Sequence, residues 1–73
     1  MTRVRCYAGG RYPERPVAFE WGGRWLEVAE VLRQGRHPTG LTFDVQTADG
    51  GRYRLEWREA EDEWIITPRA QTG

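Results

Sequence analysis

The chain contains no lysine, a single cysteine and no long apolar run among its 73 residues. The absence of lysine excludes Schiff-base chemistry and a phosphate-binding loop that depends on lysine. Because Cys6 is the only cysteine, no disulfide can form within the chain, which favours a reducing compartment. No segment approaches the ~20 apolar residues of a membrane-spanning helix, and the N-terminal residues lack the apolar stretch of a signal peptide. We therefore expect a cytoplasmic protein without membrane association.

Candidate metal ligands and nucleophiles are equally few. Cys6 and His37 are the only cysteine and histidine, and a metal site needs several such ligands to converge. The acidic segment 59–63 lacks the spaced ligands and central glycine of a calcium-binding loop. A Cys6–His37 pair would also need a pocket, oxyanion donors and an orienting group, for which so short a chain has little room. We expect no metal, no cofactor and no catalytic residue.

The charges are balanced overall but unevenly distributed. The chain has eleven arginines and eleven carboxylate side chains, which give a formal net charge of +0. Residues 1–36 carry seven arginines and four acids, whereas residues 37–73 carry four arginines and seven acids. This polarity suits a homodimer or a polar protein partner. It supports nucleic acid binding less well, because domains that bind nucleic acids are usually basic.

Glycine and proline divide the chain into short segments in which apolar and polar residues alternate. This pattern predicts strands over residues 3–8, 17–21, 41–48, 52–58 and 63–67. Gly22-Gly23 and Asp49-Gly50-Gly51 predict hairpin turns, because glycine adopts the positive φ angles of tight turns. Prolines 13 and 16 predict an extended loop before the second strand, and residues 35–40 predict another loop.

Residues 25–34 fit two interpretations. As a helix, the segment has an apolar stripe and ends at a glycine, Gly35; the stripe consists of Trp25, Val28, Ala29 and Leu32. As a strand, it needs a β-bulge near residues 29–30 to keep Val31 in phase with Leu26 and Val28. The tight turn before it and the lack of an N-capping residue favour the strand.

These patterns predict one domain, residues 1–73, with an ordered core over about 3–68 and a flexible tail at 69–73. The expected fold is all-β, a five- to six-stranded antiparallel meander or a partly open small barrel of SH3-like type. The alternative is an α+β fold with one helix at about 25–34.

Arginines and tryptophans occur close together in two parts of the chain. Four tryptophans are hard to bury in so small a core, so at least one should be part-exposed, and an exposed tryptophan beside arginine is typical of interface hot spots. The candidate partner-binding surface consists of Trp21, Arg24, Trp25, Arg52, Arg54 and Arg58. In the alternative interpretation, the arginines of residues 52–58 only form a solvated face and pair with Glu56 or Asp44 across strands.

Residues 15–32, RPVAFEWGGRWLEVAEVL, together with Tyr53-Arg54-Leu55 and Trp64-Ile65-Ile66, also carry a family resemblance. They resemble the signature of a small bacterial domain of unknown function, P-x-x-F-x-W-x-G-R-x-x-x-V-x-E-V-L. In some bacteria, such domains are similar to ones found beside, or fused to, homologues of Y-family translesion polymerases. The resemblance implies an accessory role in DNA repair and supports a strand over 24–33.

The sequence therefore predicts a non-enzymatic interaction module that binds a protein or nucleic-acid partner through an aromatic–arginine surface. An accessory DNA- or RNA-binding domain linked to repair is the first alternative. A structural or oligomerising domain, with an exposed sheet edge that completes a homodimer, is the second.

Overall fold

In the computed structural model, residues 4–6 and 15–69 form six antiparallel strands and, within these residues, no helix. The strands follow one another across the sheet in chain order, and they are β1 (Val4–Cys6), β2 (Pro16–Trp21), β3 (Arg24–His37), β4 (Gly40–Thr47), β5 (Arg52–Arg58) and β6 (Glu63–Arg69). The predicted all-β meander is confirmed. The predicted loop around Pro13 and the tail beyond Arg69 lie outside the described residues.

Strand β3 occupies the segment that had two interpretations, so the helix at 25–34 is wrong. Gly22 and Gly23 have φ angles of 60° and 82°, which turn the chain straight back onto β2 and leave no room to start a helix. The pairing register shifts between Val28 and Glu30, which confirms the predicted bulge, and again between Val31 and Arg33. The strand also continues to residue 37, into the predicted loop, because residues 35–37 pair with β4.

The two bulges divide the meander into two layers. We call β1, β2 and residues 24–27 of β3 the first layer, and residues 28–37 of β3 with β4, β5 and β6 the second layer. The layers close on each other like a half-barrel, since the Phe19 ring of β2 lies 5.1 Å from the Tyr53 ring of β5. The backbone amide of Ala48 also donates to the carbonyl of Glu27 at 2.9 Å.

The core fills the space between the layers. It is formed by inward-facing side chains of both layers, namely Phe19, Leu26, Phe43, Val45 and Leu55. Alternation predicted this face correctly for β4 and β5, where Phe43, Val45 and Leu55 are fully buried. Because the layers pack through their inner faces, their outer faces point away from each other. This arrangement decides which candidate residues share a surface.

Candidate partner-binding surfaces

The four tryptophans differ in exposure. Trp57 is 7% exposed, Trp64 is half-buried, and Trp21 and Trp25 are 38% and 42% exposed. The prediction that at least one tryptophan is part-exposed is confirmed. The two exposed rings flank the tight turn of the β2–β3 hairpin, so the hairpin concentrates the exposed aromatic surface of the described chain.

Trp21 lies on the inner side of the hairpin, at the rim of the half-barrel. Its ring packs edge-on against Tyr53, with the ring centroids 5.8 Å apart. Its cross-strand partner is Arg24, whose guanidinium lies 3.8 Å from the Asp49 carboxylate in the β4–β5 turn. Both charged side chains are largely exposed, so the ion pair itself contributes little stability. The structure thus brings Trp21 and Arg24 together, with the charge of Arg24 balanced by Asp49.

Trp25 lies on the other side of the hairpin, on the outer face of the first layer. The guanidinium carbon of Arg5 sits 5.1 Å from the Trp25 ring centroid, a cation–π contact. Glu20 is the direct cross-strand partner of Trp25, and Glu27 follows two residues later on the same face. Sequence reasoning missed Arg5, because its position over Trp25 depends on the pairing of three strands.

The remaining candidates, Arg52, Arg54 and Arg58, lie on the outer face of the second layer. They alternate along β5 with the core residues, and their partners on β6 are Arg69, Thr67 and Glu63. Since the outer faces of the two layers point in opposite directions, these arginines do not join Trp25. The six candidates therefore occupy at least two separate surfaces, and the binding role of each stays a prediction.

Arg54 forms a two-point ion pair on this outer face. Its Nε donates to one oxygen of Asp44 at 2.9 Å and its Nη2 to the other at 3.4 Å. The pairing of an arginine of β5 with Asp44, expected under the solvated-face interpretation, is confirmed. The hydrogen bond from Arg54 holds the pKa of Asp44 below its usual value, with further lowering by the charges of Arg54, Arg69 and Arg33 against an opposing effect of burial.

Acid is therefore expected to destabilise the fold through Asp44. The unfolded chain takes up a proton at the ordinary aspartate pKa of about 3.9, whereas the folded chain resists protonation, so stability falls below that pH. Urea unfolding between about pH 5 and pH 2 should show this decline. Asp44→Asn should show a shallower decline, though not a flat one, because the pKa of Asp49 is also lowered, chiefly by its hydrogen bond from Thr47. Identical slopes for the two proteins would contradict this account.

Cys6 and His37 lie in different layers. Cys6 is half-buried on β1, and burial raises the pKa of its thiol to about 11. His37 ends β3, where its Nε2 lies 2.6 Å from the hydroxyl oxygen of Thr42. The thiol is thus largely protonated at neutral pH, which is unfavourable for a nucleophile.

Alkylation of Cys6 by iodoacetamide should accordingly be slow. The higher pKa reduces the thiolate fraction about 100-fold, and the greater nucleophilicity of a more basic thiolate recovers part of this, leaving a rate about tenfold lower. The control is the same protein in urea, where the rate should rise to that of a free cysteine. Equal rates in the folded and unfolded states would contradict the burial of this thiol.

Other features of the described residues give no further site. Within residues 4–6 and 15–69, no group of three or more His, Cys, Asp or Glu side chains is placed to hold a metal ion. None of the described residues forms a helix long and apolar enough to cross a membrane. A depression of about 660 Å³ lies open between the β3–β4 and β5–β6 turns, and its lining mixes charged side chains such as Arg58 and Glu59 with apolar ones such as Leu41.

The fold and its exposed hairpin define a small antiparallel β half-barrel that carries two solvent-facing tryptophans. Comparisons of the chain with family models, with curated proteins and with solved structures give no match. The resemblance carried by residues 15–69, and the role in DNA repair that it implies, stay predictions.

Proposed function

We propose that the protein is a non-enzymatic interaction module that binds a protein partner through the β2–β3 hairpin. One observation carries the proposal: Trp21 and Trp25 remain 38% and 42% exposed on a tightly turned hairpin. A small domain has a limited core, and leaving two of its largest apolar side chains in water forgoes much of the burial available to it. A partner that covers the two rings would bury this apolar surface and so recover the lost stabilisation.

The hairpin is also preorganised for binding. The ring of Trp21 rests on Tyr53, and that of Trp25 lies beneath the Arg5 guanidinium. Side chains already held in place lose less conformational entropy when a partner binds, so more of the contact energy appears as affinity. Tryptophan and arginine are also the residue types most enriched at interface hot spots.

The surroundings of Trp25 favour protein over nucleic acid as the partner. Glu20 and Glu27 share its outer face and would repel phosphate groups. Among the described residues that surround Trp25 on this face, Arg5 is the only cation. On the inner side, Asp49 already balances the charge of Arg24. A partner with an apolar pocket and a polar rim fits these surroundings better than a polyanion does.

Photo-crosslinking tests the proposal. A photoreactive phenylalanine analogue replaces Trp25 in one protein and Glu61, an exposed turn residue, in the control. A partner crosslinked at position 25 and not at position 61 is then purified, and its affinity is measured by calorimetry. Trp25→Ala should weaken binding about 30-fold, the effect of a typical hot spot, while Glu61→Ala should leave it unchanged. Equal affinities for the two variants, or no crosslink specific to position 25, would overturn the proposal.

The nucleic-acid alternative rests on a different surface, the outer face of the second layer. Arg52, Arg54 and Arg69 lie close together there, but Asp44 and Glu56 are interspersed among them. Titration of a labelled single-stranded oligonucleotide at low salt tests it. Binding through these arginines should weaken with added salt. Arg52→Gln should reduce the slope of log affinity against log salt concentration by somewhat less than one, the contribution of a single phosphate contact. Absence of salt-sensitive binding would remove this alternative.

A further inference from the structure

We propose that the protein forms a twofold-symmetric dimer through antiparallel pairing of β6 with β6 of a second copy. Within the described residues, β6 closes one end of the sheet and pairs with β5 on one side only. The hairpin lies in the first layer and β6 lies in the second, so this proposal goes beyond the proposed function and does not depend on it.

The centre of β6 has the composition of a strand that pairs. Edge strands of stable monomers are usually short or charged, which prevents association with other chains. In contrast, β6 has seven residues, and its centre consists of three large half-buried apolar side chains, Trp64, Ile65 and Ile66. Pairing with a second strand would bury them further.

The register that aligns all seven residues also matches the charges. A twofold axis through Ile66 places Glu63 opposite Arg69 of the second copy, and Arg69 opposite its Glu63. Opposite charges directly across an antiparallel pair are stabilising. Because the interface has twofold symmetry, the favourable pair forms twice. A shift of two residues in either direction takes Arg69 away from Glu63, so the charges select this register.

Arg69 also has no opposite charge directly across from it on β5. Its direct partner on β5 is Arg52, and like charges directly opposite each other are destabilising. Neither arginine takes part in the Arg54–Asp44 or Arg24–Asp49 ion pairs. Asp44, one strand further in, interacts with the charge of Arg69, and Glu63 of the second copy would place a carboxylate directly opposite Arg69.

Pro68 is compatible with this pairing. A proline within a sheet normally directs its nitrogen to the open edge, where no ladder hydrogen bond is lost within the monomer. Ile66 and Trp64 then point their backbone groups to the same edge. In the dimer, Ile66 makes both hydrogen bonds with Ile66 of the second copy, and each Trp64–Pro68 pair makes one instead of two.

Sedimentation equilibrium with charge-swapped variants tests the proposal. The unmodified chain should sediment at high concentration with twice its monomer mass of 8.5 kDa. Arg69→Glu and Glu63→Arg should each be monomeric, because each places like charges together at both contacts. An equimolar mixture of the two variants should form a heterodimer, since every contact again joins a glutamate to an arginine. Arg52→Gln, one strand further inside the sheet, is the matched control and should remain dimeric.

Three results would overturn the dimer: a monomeric mass for the unmodified chain at high concentration, dimeric single variants, or a mixture that stays monomeric. Arg69→Glu should fold well, because the new carboxylate faces Arg52 within its own sheet. Glu63→Arg places two arginines together, at positions 58 and 63. If that variant is too unstable to mix, the mass of Arg69→Glu decides the question, with circular dichroism verifying its fold.

Discussion

Phe19→Ala is expected to destabilise the fold by about 3–5 kcal/mol, the usual cost of removing a buried phenylalanine ring. Phe19 is fully buried, and its ring contacts Tyr53 of the opposite layer. Its loss therefore opens a cavity where the two layers meet. A domain of this size has a total stability of roughly 4–11 kcal/mol, so this loss removes a large share of it, and the midpoint of urea unfolding should fall steeply.

Urea unfolding followed by circular dichroism measures this effect. The matched control is Trp25→Ala, which removes an even larger ring from an exposed position and should change the free energy of unfolding by less than about 1 kcal/mol. A cost for Phe19→Ala that is no greater than that of the control would contradict the packing of the two layers through Phe19.

Gly40→Ala is expected to lower the free energy of unfolding by about 2–3 kcal/mol, which is towards the upper end of the usual range for an overpacked site. Gly40 begins β4 directly beside β5, and a Cβ atom there would overlap the backbone carbonyl oxygen of Trp57. A backbone atom in a paired strand cannot move aside without disturbing the pairing. The midpoint of urea unfolding should therefore fall clearly.

Gly35→Ala is the matched control for this substitution. Its Cβ would lie 3.1 Å from the Thr42 hydroxyl, which belongs to a side chain that can rotate. We expect a change of less than about 1 kcal/mol. Equal effects of the two substitutions would show that the close approach of Gly40 to Trp57 does not constrain the fold.

Much of the fold could be predicted because strand alternation and turn glycines are local signals. The face of β4 that carries Phe43 and Val45 followed directly from the two-residue period. Residues 25–34 were harder, since two members of the apparent helical stripe, Trp25 and Leu32, are in fact both 42% exposed. Apolar residues on the surface of a bulged strand imitate a helical pattern, and only pairing with β2 and β4 resolves the ambiguity.

The ends of strands were less predictable because tertiary pairing extends them. Residues 35–37 have a loop-like composition, yet they pair with residues 40–42 of β4. Pro68 was expected to end the last strand at Thr67, but β6 includes it. An edge strand tolerates proline, because the missing N–H faces no neighbouring strand of the same chain. These contexts are not visible in a local pattern.

The candidate surface was predicted residue by residue but not as an assembly. Alternation correctly placed the arginines of β5 opposite its core residues. The bend of β3 then turns the outer faces of the layers away from each other, which separates Trp25 from Arg54. The contact of Arg5 with Trp25 likewise depends on strand register. Sequence reasoning identified chemically suitable residues, and the geometry divided them between two surfaces.

The most direct test of the central claim, that the β2–β3 hairpin carries the binding surface, is the solvent accessibility of the four indole rings. Nuclear magnetic resonance with a soluble paramagnetic gadolinium chelate measures it for each ring separately. The account predicts strong broadening for Trp21 and Trp25, the two exposed rings, and the weakest broadening for Trp57, which is 7% exposed and donates to Asp62. Protection of the Trp25 ring equal to that of Trp57 would contradict the claim.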